Sequence, residues 1–123
     1  MTALAKLEAA CAGERHRLRN IAPPVSDQAM DRAARIFRAL GDAPRLRLMA
    51  LLAQGEACVT EVANAEGEEI STISQRLRVL RAEGLVSRRR DGKHILYGLA
   101  DQHVFDLVFN ALAHASEHKP AAR

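Results

Sequence analysis

The chain has 123 residues, 48% of them apolar, which excludes a disordered polymer and is about right for one domain. Aromatics are 3% and Trp is absent, so the core must be built from Leu, Ile, Val and Ala, which favours helices over a β-sandwich. The net charge is +3 and unevenly spread. Residues 70–94 hold Arg76, Arg78, Arg81, Arg88, Arg89, Arg90 and Lys93 against only Glu83 and Asp91. A basic block on a near-neutral body points to a polyanionic partner.

Two cysteines, Cys11 and Cys58, are too few for a disulfide scaffold. The first residues mix acidic and basic groups, so no signal peptide is read there, and no stretch approaches membrane-spanning length. The expectation is a cytoplasmic, reduced protein that meets no membrane and keeps its thiols free for a soft metal.

In chain order, residues 1–24 read as a polar arm, expected to be mobile, that ends at the break Ala22-Pro23-Pro24. Ser26 caps a helix carrying Met30, Ala33, Ala34, Phe37 and Leu40 at helical spacing. Gly41-Asp42 ends it, and Pro44 opens a helix running from Leu46 to Leu52. Cys58 to Ala65 is a short helix, Glu66-Gly67 a turn, and Ser71 to Glu83 a longer helix striped by Ile70, Ile73, Leu77 and Leu80. That is a helix-turn-helix. Its second helix carries Ser71, Thr72, Ser74, Gln75, Arg76 and Arg78 off the stripe, the residue types that read base edges in a major groove. Leu85 to Arg90, an Asp91-Gly92 turn and Lys93 to Leu99 make a hairpin with Arg88, Arg90 and Lys93 at or near its tip. A basic hairpin after a helix-turn-helix is a wing, set to lie along phosphate. Double-stranded DNA is the partner these elements imply.

The last helix, Asp101 to His118, repeats Val104, Leu107, Val108, Ala111, Leu112 and Ala115 along one stripe. That stripe is long for a terminal helix with little chain left to cover it, so a homodimer is expected to bury it. The same helix carries Asp101, His103, His114 and Glu117, donors that suit zinc. His103 and His114 are 11 residues apart, roughly 16.5 Å along a helix, too far to share one ion. At about 100° per residue they nevertheless point the same way. An antiparallel partner helix resolves this. The pairs His103/His114 and Asp101/Glu117 have nearly the same midpoint, beside Val108 and Phe109, so one register joins both. Two equivalent inter-subunit divalent-metal sites per dimer follow. The plainer alternative makes Asp101 an N-cap and the histidines surface residues near a helix C-terminus.

A second, weaker group joins Cys58 and Glu61, one helical turn apart, with Cys11 and His16 of the arm. Thiolate, imidazole and carboxylate together suit Zn, Cd, Pb or Co. Using Cys11 and Cys58 instead as a redox pair gives a redox-responsive or otherwise non-metal winged-helix regulator. An enzyme is disfavoured by the lack of a Gly-rich loop or a nucleophile–base pair. A storage protein would have no use for an Arg-rich wing.

Four stretches together resemble the ArsR/SmtB family of winged-helix metal-sensing repressors. They are residues 40–47 (LGDAPRLR), 58–63 (CVTEVA), 71–81 (STISQRLRVLR) and 92–97 (GKHILY). The resemblance runs from about Met30 to His118 and is closest to the zinc sensors of the family. It implies a mainly α fold with a small β-hairpin: a winged helix-turn-helix, dimeric through its N- and C-terminal helices, over residues 25–118, with 119–123 as a tail. It implies that the metal-free dimer binds an operator and that metal at Asp101, His103, His114 and Glu117 releases it. The chain departs from the pattern in two places. Cys58-Val59-Thr60 stands where arsenic and cadmium sensors often have Cys-x-Cys, and Glu68 and Glu69 stand where relatives usually carry small polar residues before the reading helix.

Overall fold

The computed structural model describes residues 24–117 together with 120 and 121. The chain divides after Met30 into two compact units, and the second, Asp31–Arg123, carries every element discussed below except the start of the first helix. The elements are α1 (Asp27–Leu40), α2 (Ala43–Leu52), α3 (Val59–Glu66), α4 (Ile70–Ala82), β1 (Val86–Asp91), β2 (His94–Leu99) and α5 (Gln102–Glu117).

The Gly-Asp-x-Pro-Arg run joins α1 to α2 by satisfying both helix ends at once. Asp42 accepts the backbone N–H of Arg45 at 3.1 Å, capping α2, and Pro44 sits in the first turn, where its missing N–H costs nothing. Arg45 turns back and donates through Nε to the Ala39 carbonyl at 2.7 Å, satisfying an end of α1. Helix α2 therefore begins at Ala43, three residues earlier than Leu46, because the Asp42 cap defines its start.

Gly67, at φ 65°, ends α3, and Gly84, at φ 70°, follows α4. In each case the next residue donates back to the carbonyl five positions earlier, Glu68 to Ala63 and Leu85 to Leu80, both at 3.0 Å. A left-handed residue closes such an end without strain only when it is glycine.

The core is aliphatic. Leu48, Met49 and Leu52 of α2, Val62 and Ala63 of α3, Ile73, Leu77 and Leu80 of α4, Leu85 and Val86 at the wing's base, and Val104 and Val108 of α5 are buried around Ala39. Burying one such large side chain stabilises by about 1.5–3 kcal/mol. Ile70 departs from the expected stripe: it opens α4 and is 50% exposed, beyond the reach of that core. On α1 the core-facing residues are Ile36, Ala39 and Leu40, whereas Phe37 is 61% exposed. The expected α1 stripe therefore lies partly outside the single-chain core.

The hairpin differs from expectation by one residue. Asp91 pairs with His94, so the two-residue loop is Gly92-Lys93, with Gly92 at φ 61° in its first position. Lys93 thus sits at the tip itself. A third segment joins β2: Ala57 and Tyr97 exchange two backbone hydrogen bonds, at 3.0 and 2.8 Å. That bridge ties the wing to the loop before α3.

Candidate nucleic-acid interface and metal-ligand positions

Helix α4 is held by Ile73, Leu77 and Leu80, and this fixes what it shows to solvent. Ser71, Gln75 and Arg78 are exposed, and Thr72 and Ser74 are half-buried. Arg78 donates to the Gln75 side chain at 3.2 Å, so the two present one polar surface. Arg76 is already engaged. Its side chain is only 20% exposed, and its Nη2 meets a Glu68 carboxylate oxygen at 3.3 Å. Helical side chains lean toward the N-terminus, and this lean carries the guanidinium back to the turn that precedes α4.

On the wing, strand alternation separates the three consecutive arginines. Arg88 and Arg90 pair with Tyr97 and Ile95 and share one face, while Arg89, paired with Leu96, points to the other. All three are exposed, as is Lys93. Arg89, which the sequence placed only within the basic block, grips Glu56. Its Nε and Nη2 donate to the two carboxylate oxygens at 2.8–3.1 Å. The bond from Arg89 holds the Glu56 carboxyl below the usual carboxylate range and raises the Arg89 guanidinium in turn. Alternation alone sets Arg89 apart from its neighbours. Its partner was hidden because the Ala57–Tyr97 bridge leaves no mark in the sequence.

Helix α5 begins beyond Asp101, whose Oδ1 accepts the Val104 N–H at 3.0 Å. The N-cap reading of Asp101 therefore holds, and it leaves the second carboxylate oxygen as a donor. His103 Nδ1 stands 3.7 Å from Oδ1, with its side chain 98% exposed. His114 and Glu117 lie exposed in the last turns. Among the described residues, no three His, Cys, Asp or Glu side chains of one chain are grouped to hold a metal. Oxygen and imidazole donors of this kind fit zinc. A complete ligand set would need donors from a second copy. Beyond Val108 the α5 stripe is open: Phe109, stacked on Phe105 at 6.0 Å between centroids, is 59% exposed, and Ala111, Leu112 and Ala115 also face solvent.

At the second group, Cys58 is the N-cap of α3 rather than its first helical residue. Glu61 accepts the Cys58 backbone N–H at 3.0 Å, closing a capping box. That bond, reinforced by the cysteine side chain, keeps the Glu61 carboxyl below its ordinary range. The spacing expected of a ligand pair is thus the spacing of a helix cap. Cys11 and His16 lie outside the described residues, as does His118.

A sequence profile described as "Bacterial regulatory protein, arsR family" matches residues 42–88, the span from the α2 cap to the first half of the wing. The chain is 42% identical over 103 residues to the transcriptional repressor SmtB homolog of Synechocystis sp., covering 82% of this chain and 77% of that one. The chain belongs to the ArsR family. It is also 42% identical over 95 residues to the transcriptional regulator NmtR of Mycobacterium tuberculosis, covering 77% and 78% of the two chains. Its fold matches the solution structure of the homodimeric winged helix-turn-helix DNA-binding domain of Mb0332 from Mycobacterium bovis. The TM-score is 0.73 at 35% identity, over 82% of this chain and 96% of that one. The fold class read from the sequence is therefore correct, and the family is one of DNA-binding regulators rather than enzymes. Among the described residues no helix is long and apolar enough to cross a membrane.

Proposed function

We propose that this ArsR-family chain is a metal-responsive repressor: a homodimer that binds operator DNA when metal-free and releases it on binding zinc between its two C-terminal helices. The observation that carries the reading is α5. Its apolar stripe stays open from Phe109 onward, and its donors stand at both ends of that stripe, with Asp101 and His103 already 3.7 Å apart. An antiparallel second α5 covers the stripe and brings His114 and Glu117 to the opposite pair. The homodimeric fold of the Mycobacterium bovis domain and the repressor relative from Synechocystis support the same assembly and role.

Ser71, Thr72, Ser74, Gln75 and Arg78 offer hydrogen-bonding groups to base edges, while Arg88, Arg90 and Lys93 meet phosphate. Arg76 joins them once it leaves Glu68. Asp101 and His103 of one chain with His114 and Glu117 of a second copy would hold zinc, which would supply a Lewis-acid centre there. For it to act, the two dimer conformations must differ in zinc affinity, because a ligand with equal affinity for both shifts nothing. Cadmium, lead and cobalt share enough of this donor chemistry to serve as comparison ions. The test is an electrophoretic mobility shift on an enriched duplex, with zinc or chelator added, beside a zinc titration of the purified protein. Two zinc ions per dimer and loss of the shifted band support the reading. A band indifferent to zinc, cadmium, lead and cobalt removes it.

A further inference from the structure

Three arginines in a row at the wing suggest three phosphate contacts, but the structure divides them. Arg88 and Arg90 lie on one face, and neither forms an ion pair among the described residues. Arg89 lies on the other face and is engaged bidentately by Glu56, 33 residues earlier, with oxygen–nitrogen distances of 2.8–3.1 Å. A two-pronged guanidinium–carboxylate contact fixes direction as well as distance. The contact is also built from below. Gly98 lies on β2 two residues from Leu96, the strand partner of Arg89, and a Cβ there would stand 3.1 Å from Glu56 Cγ. The glutamate stem thus crosses the strand through the space that glycine leaves. Glu56 itself precedes Ala57, which hydrogen-bonds to Tyr97, so the acid is anchored to the sheet it clasps.

We propose that Glu56 withholds Arg89 from DNA and that the pair is a clasp setting the angle of the wing against the helix-turn-helix, making both residues positioning residues for DNA discrimination. The proposal rests on the DNA-binding reading above. Two consequences separate it from a simple phosphate contact. Arg89, already paired, releases no counterion when the protein meets a duplex. Freed from Glu56, it becomes one more mobile cation, and binding to any sequence gains one contact. The clasp raises discrimination by holding Arg88, Arg90 and Lys93 in one attitude and by keeping a sequence-blind charge out of play.

The experiment uses the full chain with two fluorescent duplexes, one of random sequence and one enriched by the wild-type protein from a randomised pool. Affinity is measured from about 50 to about 200 mM salt, where each phosphate contact contributes about 0.9 to the slope, or roughly 3.5-fold in affinity. Arg88→Ala should flatten the random-duplex slope by about one unit. Arg89→Ala should leave that slope as in wild type and weaken binding to the enriched duplex alone. Glu56→Ala should steepen the random-duplex slope by about one unit and narrow the gap between the two duplexes, and the shape-preserving Glu56→Gln should do the same. Both side chains are about half exposed, so the fold should survive, with circular dichroism as the check. The clasp is overturned if Arg89→Ala flattens the slope as Arg88→Ala does, or if both Glu56 variants match wild type on duplexes that wild type binds. Wild-type protein that binds neither duplex defeats the DNA-binding reading itself.

Discussion

Arg76 of α4 meets Glu68 of the preceding turn at 3.3 Å, with the arginine side chain only 20% exposed. An acid thus occupies one of the cations of the reading helix before DNA arrives. Phosphate must displace it, and a surface-type ion pair holds by only about 0–1 kcal/mol. Glu68→Gln should therefore raise affinity for duplex DNA severalfold. Gln75→Ala with Arg76→Ala should lower it while leaving assembly and zinc affinity unchanged. Fluorescence anisotropy reads both, and a Glu68→Gln protein that binds no more tightly than wild type would show that Arg76 stays on its glutamate in the complex.

On the proposed reading, the exposed cations of the wing should act by charge rather than by sequence. Arg88→Ala, Arg90→Ala and Lys93→Ala should each weaken binding to all duplexes alike and flatten the salt dependence by about one unit. Selective loss on one sequence, with the slope preserved, would instead mark the substituted residue as a reader of bases.

What was legible in the sequence follows from local rules. Gly67, Gly84 and Asp42 each punctuate a helix by backbone chemistry that needs no tertiary context, and the Ile73–Leu77–Leu80 stripe names its own buried face. The hairpin register slipped by one because Asp91-Gly92 and Gly92-Lys93 are both plausible loops, and the observed pairing of Asp91 with His94 decides between them. The apolar stripes of α1 and α5 were visible as periodicity. Periodicity does not say whether Phe37 and Phe109 meet their own core or a second copy, and both lie outside the single-chain core. The ion pairs that occupy Arg76 and Arg89 depend on turns and bridges that bring distant residues together, which no local pattern records.

Cys58 occupies the cap position where serine is the commoner choice, with Glu61 completing the box. Cys58→Ser should keep the cap and stabilise the protein by a few tenths to about 1 kcal/mol, because a hydroxyl accepts the backbone N–H better than a thiol. Thermal unfolding reads the change as a small rise in Tm. The same variant should still leave DNA on addition of zinc. Loss of the zinc response with Tm unchanged would move sensing from α5 to the thiol.

Phe109 is 59% exposed on one chain and lies near the midpoint of the donor pairs. Phe109→Ala should therefore scarcely alter the helical content of the subunit. It should shift the dimer–monomer equilibrium toward monomer, read by sedimentation equilibrium over a range of concentrations. A variant that dimerises as tightly as wild type would place the subunit contact elsewhere.

The register of the two α5 helices can be tested by complementation. If Asp101 and His103 of one subunit share zinc with the partner's His114 and Glu117, His103→Ala and His114→Ala homodimers each lack a complete site. In the mixed dimer, the two defects fall together in one site, because each site draws His103 from one chain and His114 from the other. The remaining site is intact. Co-refolding the two inactive variants should thus restore one tight zinc per heterodimer, measured by competition against a chromogenic chelator after affinity-tag separation. A site confined to one chain predicts none, since each chain keeps its own defect. The separation of His103 from His114, roughly 16.5 Å along the helix axis, already argues against such a site. Verified heterodimers with no tight zinc would exclude the antiparallel arrangement and leave the α5 donors as surface residues around an N-cap.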